Sequence, residues 1–175
     1  MTVENLPRRQ FLRGKFLSSL QNNPDREDFN GIRPPWSKDN HVFIVHCTRC
    51  GDCIQKCETH ILIKGEGGFP QVQFNQGECT FCHRCVDVCQ QPIFRPLEER
   101  PWEHWVEITS QCLTQRKIEC RSCQDNCPMN AIRFHSQIGS MAQPIVNLDS
   151  CNGCGACLHS CPVSAIKITY PNNDE

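Results

Sequence analysis

The chain has 175 residues, 18 basic and 19 acidic, for a formal net charge of −1. Sixteen residues are Cys, and without them the apolar fraction of 38 % falls to about 29 %, little for a self-sufficient core. This composition excludes a chain-wide polycationic face, so no nucleic-acid partner is expected. No run of 18 apolar residues exists, so no integral membrane segment is expected.

The chain opens with Arg8-Arg9-Gln10-Phe11-Leu12-Arg13. This is similar to a twin-arginine export signature, but the following Gly14–Leu20 is too short for an export core, and Asn22, Asn23 and Pro24 stop any helix there. A basic arm that contacts a partner through Arg8, Arg9, Phe11, Leu12 and Arg13 is expected, on a protein that stays in the cytoplasm. Gly31-Ile32-Arg33-Pro34-Pro35-Trp36 reads as a stiff, extended segment whose Trp packs on its own domain.

The cysteines organise the rest. Cys47, Cys50, Cys53 and Cys57 form C-x2-C-x2-C-x3-C, and Cys79, Cys82, Cys85 and Cys89 repeat it. Cys112, Cys120, Cys123 and Cys127 form C-x7-C-x2-C-x3-C, and Cys151, Cys154, Cys157 and Cys161 return to the first pattern. Every cysteine is used. Disulfides would need an oxidising compartment, and zinc favours two C-x2-C pairs across a longer gap. Three thiolates at i, i+3 and i+6 instead wrap one iron–sulfur cube, while the fourth, on a short helix, reaches the neighbouring cube. Four [4Fe-4S] clusters are expected, with these sixteen cysteines as the metal ligands. Gly51, Gly153 and Gly155 let the loops curl against them. The third set is the least secure, because seven residues, including Arg116 and Lys117, separate Cys112 from Cys120. Cys112 is there either a ligand or a buried bystander beside a labile or three-iron cluster. With sixteen thiolates assigned, His83 and His159 read as surface residues.

Between the motifs, the pattern predicts strands. Val42–Val45 precedes the first set. Ile61–Ile63 and Pro70–Phe74, around Gly65-Glu66-Gly67-Gly68, read as a hairpin. Trp105–Thr109 precedes the third set, Ala131–Phe134 and Pro144–Leu148 flank a longer turn with Gly139, and Ile166–Tyr170 closes the chain. Residues 90–101, with Pro92, Pro96 and Pro101, read as a surface connector.

This layout resembles the bacterial two-cluster ferredoxin fold, with a βαβ-like unit on each motif. The resemblance implies an α+β chain of two tandem two-cluster (2[4Fe-4S]) modules supported by their clusters. Residues 1–35 are the basic arm and extended segment, 36–94 the first module, 95–101 the connector and 102–175 the second module. Adjacent pairing of motifs groups Cys47, Cys50 and Cys53 with Cys89, and Cys79, Cys82 and Cys85 with Cys57. It groups Cys112, Cys120 and Cys123 with Cys161, and Cys151, Cys154 and Cys157 with Cys127. A nested pairing, first motif with fourth and second with third, remains open from sequence.

A narrower likeness rests on Arg8-Arg9, on Gly31–Ser37, on His46-Cys47-Thr48-Arg49-Cys50, on Cys120-Arg121-Ser122-Cys123-Gln124-Asp125, and on Cys161-Pro162-Val163-Ser164-Ala165-Ile166. These stretches resemble the NapF-type ferredoxin-like proteins of the periplasmic nitrate reductase system. The second motif departs from many ferredoxins by ending Cys89-Gln90 rather than Cys-Pro. The resemblance implies a cytoplasmic accessory protein. It would bind the catalytic subunit of the nitrate reductase before export and assist its maturation. An electron carrier, or an electron-transfer subunit of a larger complex, is the alternative. No phosphate loop, no dinucleotide fingerprint and no nucleophile set is present, so an enzyme acting alone is not expected.

Overall fold

A computed structural model describes residues 31–171 except 138; the basic arm falls outside them. The described residues belong to one compact unit. The first half runs α1 (Asn40–His46), α2 (Asp52–Gln55), β1 (Leu62–Lys64), a 3-10 turn at Glu66–Gly68, β2 (Pro70–Val72) and α3 (Arg84–Asp87). The second runs β3 (Trp105–Ile108), α4 (Ser122–Asp125), β4 (Ile132–Gln137), β5 (Ser140–Val146), α5 (Ala156–His159) and β6 (Ile166–Thr169).

Among the described residues three two-stranded sheets result, β1–β2, β4–β5 and β3–β6, all antiparallel. The strand–helix–strand units are therefore not parallel crossovers. Both expected hairpins form, and β4–β5 extends further into the polar turn than the apolar pattern suggests, with Gln137 opposite Ser140. Trp105 opposite Thr169 and Ile108 opposite Ile166 join the two ends of the second half.

Val42–Val45 is helical, not a strand, because burial follows the helical repeat. Phe43 is fully buried against Phe69 and Ile93, Ile44 and Cys47 pack on the same cluster, and Val45 is 57 % exposed. The Cys47 N–H donates to Phe43 O at 2.9 Å. Arg33 lies over the Phe43 ring at 4.9 Å and donates to Asn40 Oδ1. A β-branched run has strand propensity, but tertiary packing overrides it where no partner strand is available.

The Pro-Pro-Trp segment turns inward. Trp36 is 3 % exposed, and its indole N–H donates to Glu99 O at 2.9 Å. The Trp36 backbone N–H donates to Pro101 O, and Arg95 N–H to Trp36 O. Residues 96–100 are exposed, but these bonds and the Arg95–Glu99 ion pair at 3.1 Å tie them down.

The apolar clusters are small and include cysteines. One gathers Val106, Ile132, Ile166, Cys123, Cys151 and Cys157. Another gathers Ile61, Leu62, Val72, Phe74, Trp102 and Cys85, with Leu158 and Ile168 of the second half packed against it. Among the described residues no helix is long and apolar enough to cross a membrane.

Candidate iron–sulfur centres

The local geometry of the motifs repeats with the spacing. In the first, second and fourth sets, the residues on either side of the second Cys are left-handed. They are Arg49 and Gly51 (φ 59° and 85°), Phe81 and His83 (55° and 62°), and Gly153 and Gly155 (74° and 86°). This conformation curls the loop so that its three thiols face inward. Glycine adopts it freely, while the non-glycine residues are held in it by their surroundings. Each loop then enters a four-residue helix carrying the third Cys: Cys53, Cys85, Cys123 and Cys157. The fourth Cys lies just past that helix rather than on it. Its N–H donates three residues back, as from Cys57 to Ile54 O and from Cys161 to Leu158 O.

The thiols gather in four solvent-open recesses. Cys47, Cys50, Cys53 and Cys89 line one of about 340 Å³, and Cys57, Cys79, Cys82 and Cys85 line one of about 360 Å³. Cys112, Cys120, Cys123 and Cys161 line a third of about 330 Å³, and Cys127, Cys151, Cys154 and Cys157 a fourth of about 310 Å³. We call these sites one, two, three and four. The motifs that share these four sites are thus neighbours in sequence, and none of the four combines the first motif with the fourth.

Cys112 reaches site three despite its long loop. Arg116 N–H donates to Cys112 O, Ile118 N–H to Leu113 O, and Lys117 takes a left-handed φ of 64°. Thr114 is 3 % exposed and donates its hydroxyl to Cys120 O at 3.3 Å. The seven residues form a closed turn that returns the chain to the recess.

The donor chemistry fits an iron–sulfur cube. Burial, with neighbouring thiols adding, pushes Cys53, Cys79, Cys85 and Cys157 up to about 12. Burial also pushes Cys123 up to about 11. Four thiolates crowded together need cationic charge among them, and a bound metal centre inverts the local pKa logic. Among the described residues no three His, Cys, Asp or Glu side chains converge on a single ion. Quartets spread around a recess suit a multi-iron group better than one zinc.

Several polar groups face the sulfurs. Phe81 N–H donates to Cys79 Sγ (3.4 Å), Ala131 N–H to Cys127 Sγ (3.3 Å) and Ala165 N–H to Cys161 Sγ (3.2 Å). The hydroxyls of Thr59 and Ser122 lie 3.8 and 3.7 Å from Cys57 Sγ and Cys120 Sγ. Such contacts tune reduction potential. Cys89 is the exception: its thiol is placed to donate to Gln91 O at 3.9 Å.

Sequence reasoning missed these hydroxyls, and it missed His104. That ring is 1 % exposed, stacks on Trp102 at 5.0 Å and donates from Nε2 to Gly153 O at 3.0 Å. Its Nδ1 is buried without a partner, and burial lowers its pKa. No motif announces this role. His83 is half-buried with its ring 4.9 Å from Trp36, and exposed His159 lies 3.8 Å from Glu78 Oε2.

Comparison with known proteins agrees with this chemistry. Residues 38–93 and 118–170 each match a 4Fe-4S dicluster domain, and the second match begins after Cys112. The chain is 64 % identical to the ferredoxin-type protein NapF of Haemophilus influenzae, over all of both chains. It is 48 % identical to NapF of Escherichia coli K12, covering 83 % of this chain and 88 % of that one. It is 27 % identical to the ferredoxin-type protein NapG of Haemophilus influenzae, over 89 % of this chain and 64 % of the relative. Cysteine spacing, loop geometry and these similarities converge, and the chain belongs to the NapF family of ferredoxin-type iron–sulfur proteins.

Proposed function

We propose that the chain is an electron-transfer polyferredoxin of the nitrate reductase system, holding four [4Fe-4S] clusters in two tandem two-cluster modules, residues 36–94 and 102–175. The observation that carries this is the gathering of all sixteen thiols into four recesses of four. Each bound cluster supplies a one-electron couple. The chain's part is to hold the thiolates, aim N–H and hydroxyl groups at them and limit water at the buried ones. It is not an enzyme in its own right.

The narrower part of the proposal concerns the partner. The chain acts in the cytoplasm, binds the catalytic subunit of the periplasmic nitrate reductase before export and assists its maturation. Similarity to NapF proteins supports this, as does the run of basic and apolar residues Arg8, Arg9, Phe11, Leu12 and Arg13. Anaerobic pull-down with the full chain tests it. Recovery of the unexported catalytic subunit, and its loss when residues 1–30 are removed, is expected. An intact chain that captures no precursor, with nitrate reductase activity unchanged on truncation, overturns it.

A further inference from the structure

The order of the four sites in space is not their order in sequence. Helices α2 and α3, which carry Cys53 and Cys85, pack together and join site one to site two. Helices α4 and α5, which carry Cys123 and Cys157, pack likewise and join site three to site four. The halves meet between two loops that both bear ligands: the Cys79 backbone N–H donates to Cys154 O at 2.8 Å.

Side chains close around that bond. Phe74, from the first half, sits where a Cβ on Gly155 would have to go. His104 fills the same space at Gly153, 2.6 Å from where a Cβ would stand. Trp102 links the two, meeting Phe74 edge-on at 6.0 Å and stacking on His104 at 5.0 Å, and it also meets Phe81 edge-on at 5.8 Å. Arg100 donates to Cys151 O at 3.0 Å, and Glu78 faces His159 across the seam. Site four is also the most enclosed, with Cys151, Cys154 and Cys157 all buried, whereas Cys50 of site one is exposed.

We infer that the cysteine sites form a single file in the order one, two, four, three, joined across the halves by the Cys79–Cys154 peptide contact. Sites two and four are then the inner pair, and the recesses at Cys47 and at Cys112 are the two ends where redox partners exchange electrons. This rests on the electron-transfer reading, but the arrangement is a property of the chain's own loops. A file that followed the sequence would place site three, not site four, next to site two.

Electron paramagnetic resonance of the reduced, anaerobically prepared holoprotein tests the order, because neighbouring paramagnets broaden one another's signals. Cys157→Ser, which removes site four, should leave site three with a narrow, isolated signal. Cys120→Ser, which removes site three, should leave the other signals still broadened by one another. A site three signal that stays broadened in Cys157→Ser overturns the order. Hydrogen exchange in the unmodified holoprotein is the check that survives a variant losing more than one cluster's iron. The Cys79 amide should be strongly protected, and exchange at the rate of an exposed loop amide also overturns the proposal. If the unmodified protein gives no reducible signals, the electron-transfer reading fails, while hydrogen exchange still reads the junction.

Discussion

Apart from the seven-residue gap between Cys112 and Cys120, the two halves carry the same cysteine spacing, but they close differently. In the second half, the strand after the last motif, β6, returns to pair with β3, the strand before the third cysteine set. In the first half, the matching segments are a helix, α1, and a short stretch at Ile93-Phe94 that makes one bridge, Phe94 with Ser37. One turn differs with it. Three residues past the final Cys of a motif stand His60, Asn130 and Ser164, all left-handed at φ 55°, 49° and 49°. After Cys89 that position is Pro92, whose ring fixes φ near −65° and forbids the turn. Ile93 drops into the site-one recess instead. The returning residues 93–95 pair with 36–38 instead, through Lys38 N–H to Ile93 O and Arg95 N–H to Trp36 O, and Asn40–His46 coils and packs Phe43 inward. Pro92 thus marks where the return of the first half departs from the other three.

Removing the iron should have the largest effect and erase the contrast altogether. The apolar clusters are small and share their centres with the recess-lining cysteines, so on the proposed four-cluster reading metal binding and folding are one event. Chelation under anaerobic conditions should abolish cooperative unfolding in both halves. A sharp thermal transition of the apo chain by circular dichroism would break this account of stability.

Next come two glycines in equivalent positions. Gly51 and Gly155 share a φ near 85°, but a Cβ on Gly51 meets nothing within 4 Å, whereas on Gly155 it runs into the Phe74 ring. Gly51→Ala should cost only the left-handed backbone penalty, roughly 1–2 kcal/mol. Gly155→Ala adds overpacking of about 1–3 kcal/mol. Thermal melts of the two holoproteins should therefore differ clearly, and equal melts would mean that the seam around Phe74 yields.

Protonation sharpens the comparison on a smaller scale. His104 belongs to the second half, and burial lowers its pKa below 6.5. The folded protein therefore binds its proton less readily than the unfolded chain does. Its stability should be complete above about pH 6.5 and fall as pH drops below it. Comparing the pH dependence of unfolding in the native chain and in His104→Gln isolates this contribution, which the variant should lack.

The smallest effect is expected at α1. Val45 is 57 % exposed on the helix's outer face, so Val45→Ala should change stability by no more than about 0.5 kcal/mol. A larger loss would show that this face is covered.

These contrasts also mark what a sequence can reveal. The cysteine quartets were legible because ligand spacing is itself chemistry: three thiols at i, i+3 and i+6 have few other uses. The β1–β2 hairpin was legible from the glycines at 65, 67 and 68 between apolar runs. Asn40–His46 was not, because Val42, Ile44 and Val45 have strand propensity and only the missing partner strand tells otherwise. The place of the fourth Cys just past its helix, the hydroxyls of Thr59 and Ser122, and His104 under Gly153 depend on contacts that no local pattern encodes. The second-motif departure at Cys89-Gln90 was visible, but its consequence lay two residues on, at Pro92.

The direct measure of the whole account is the metal content of the intact protein prepared without oxygen. One iron per thiolate predicts about sixteen irons and as many acid-labile sulfides per chain. Colourless protein, or zinc in place of iron and sulfide, would contradict it.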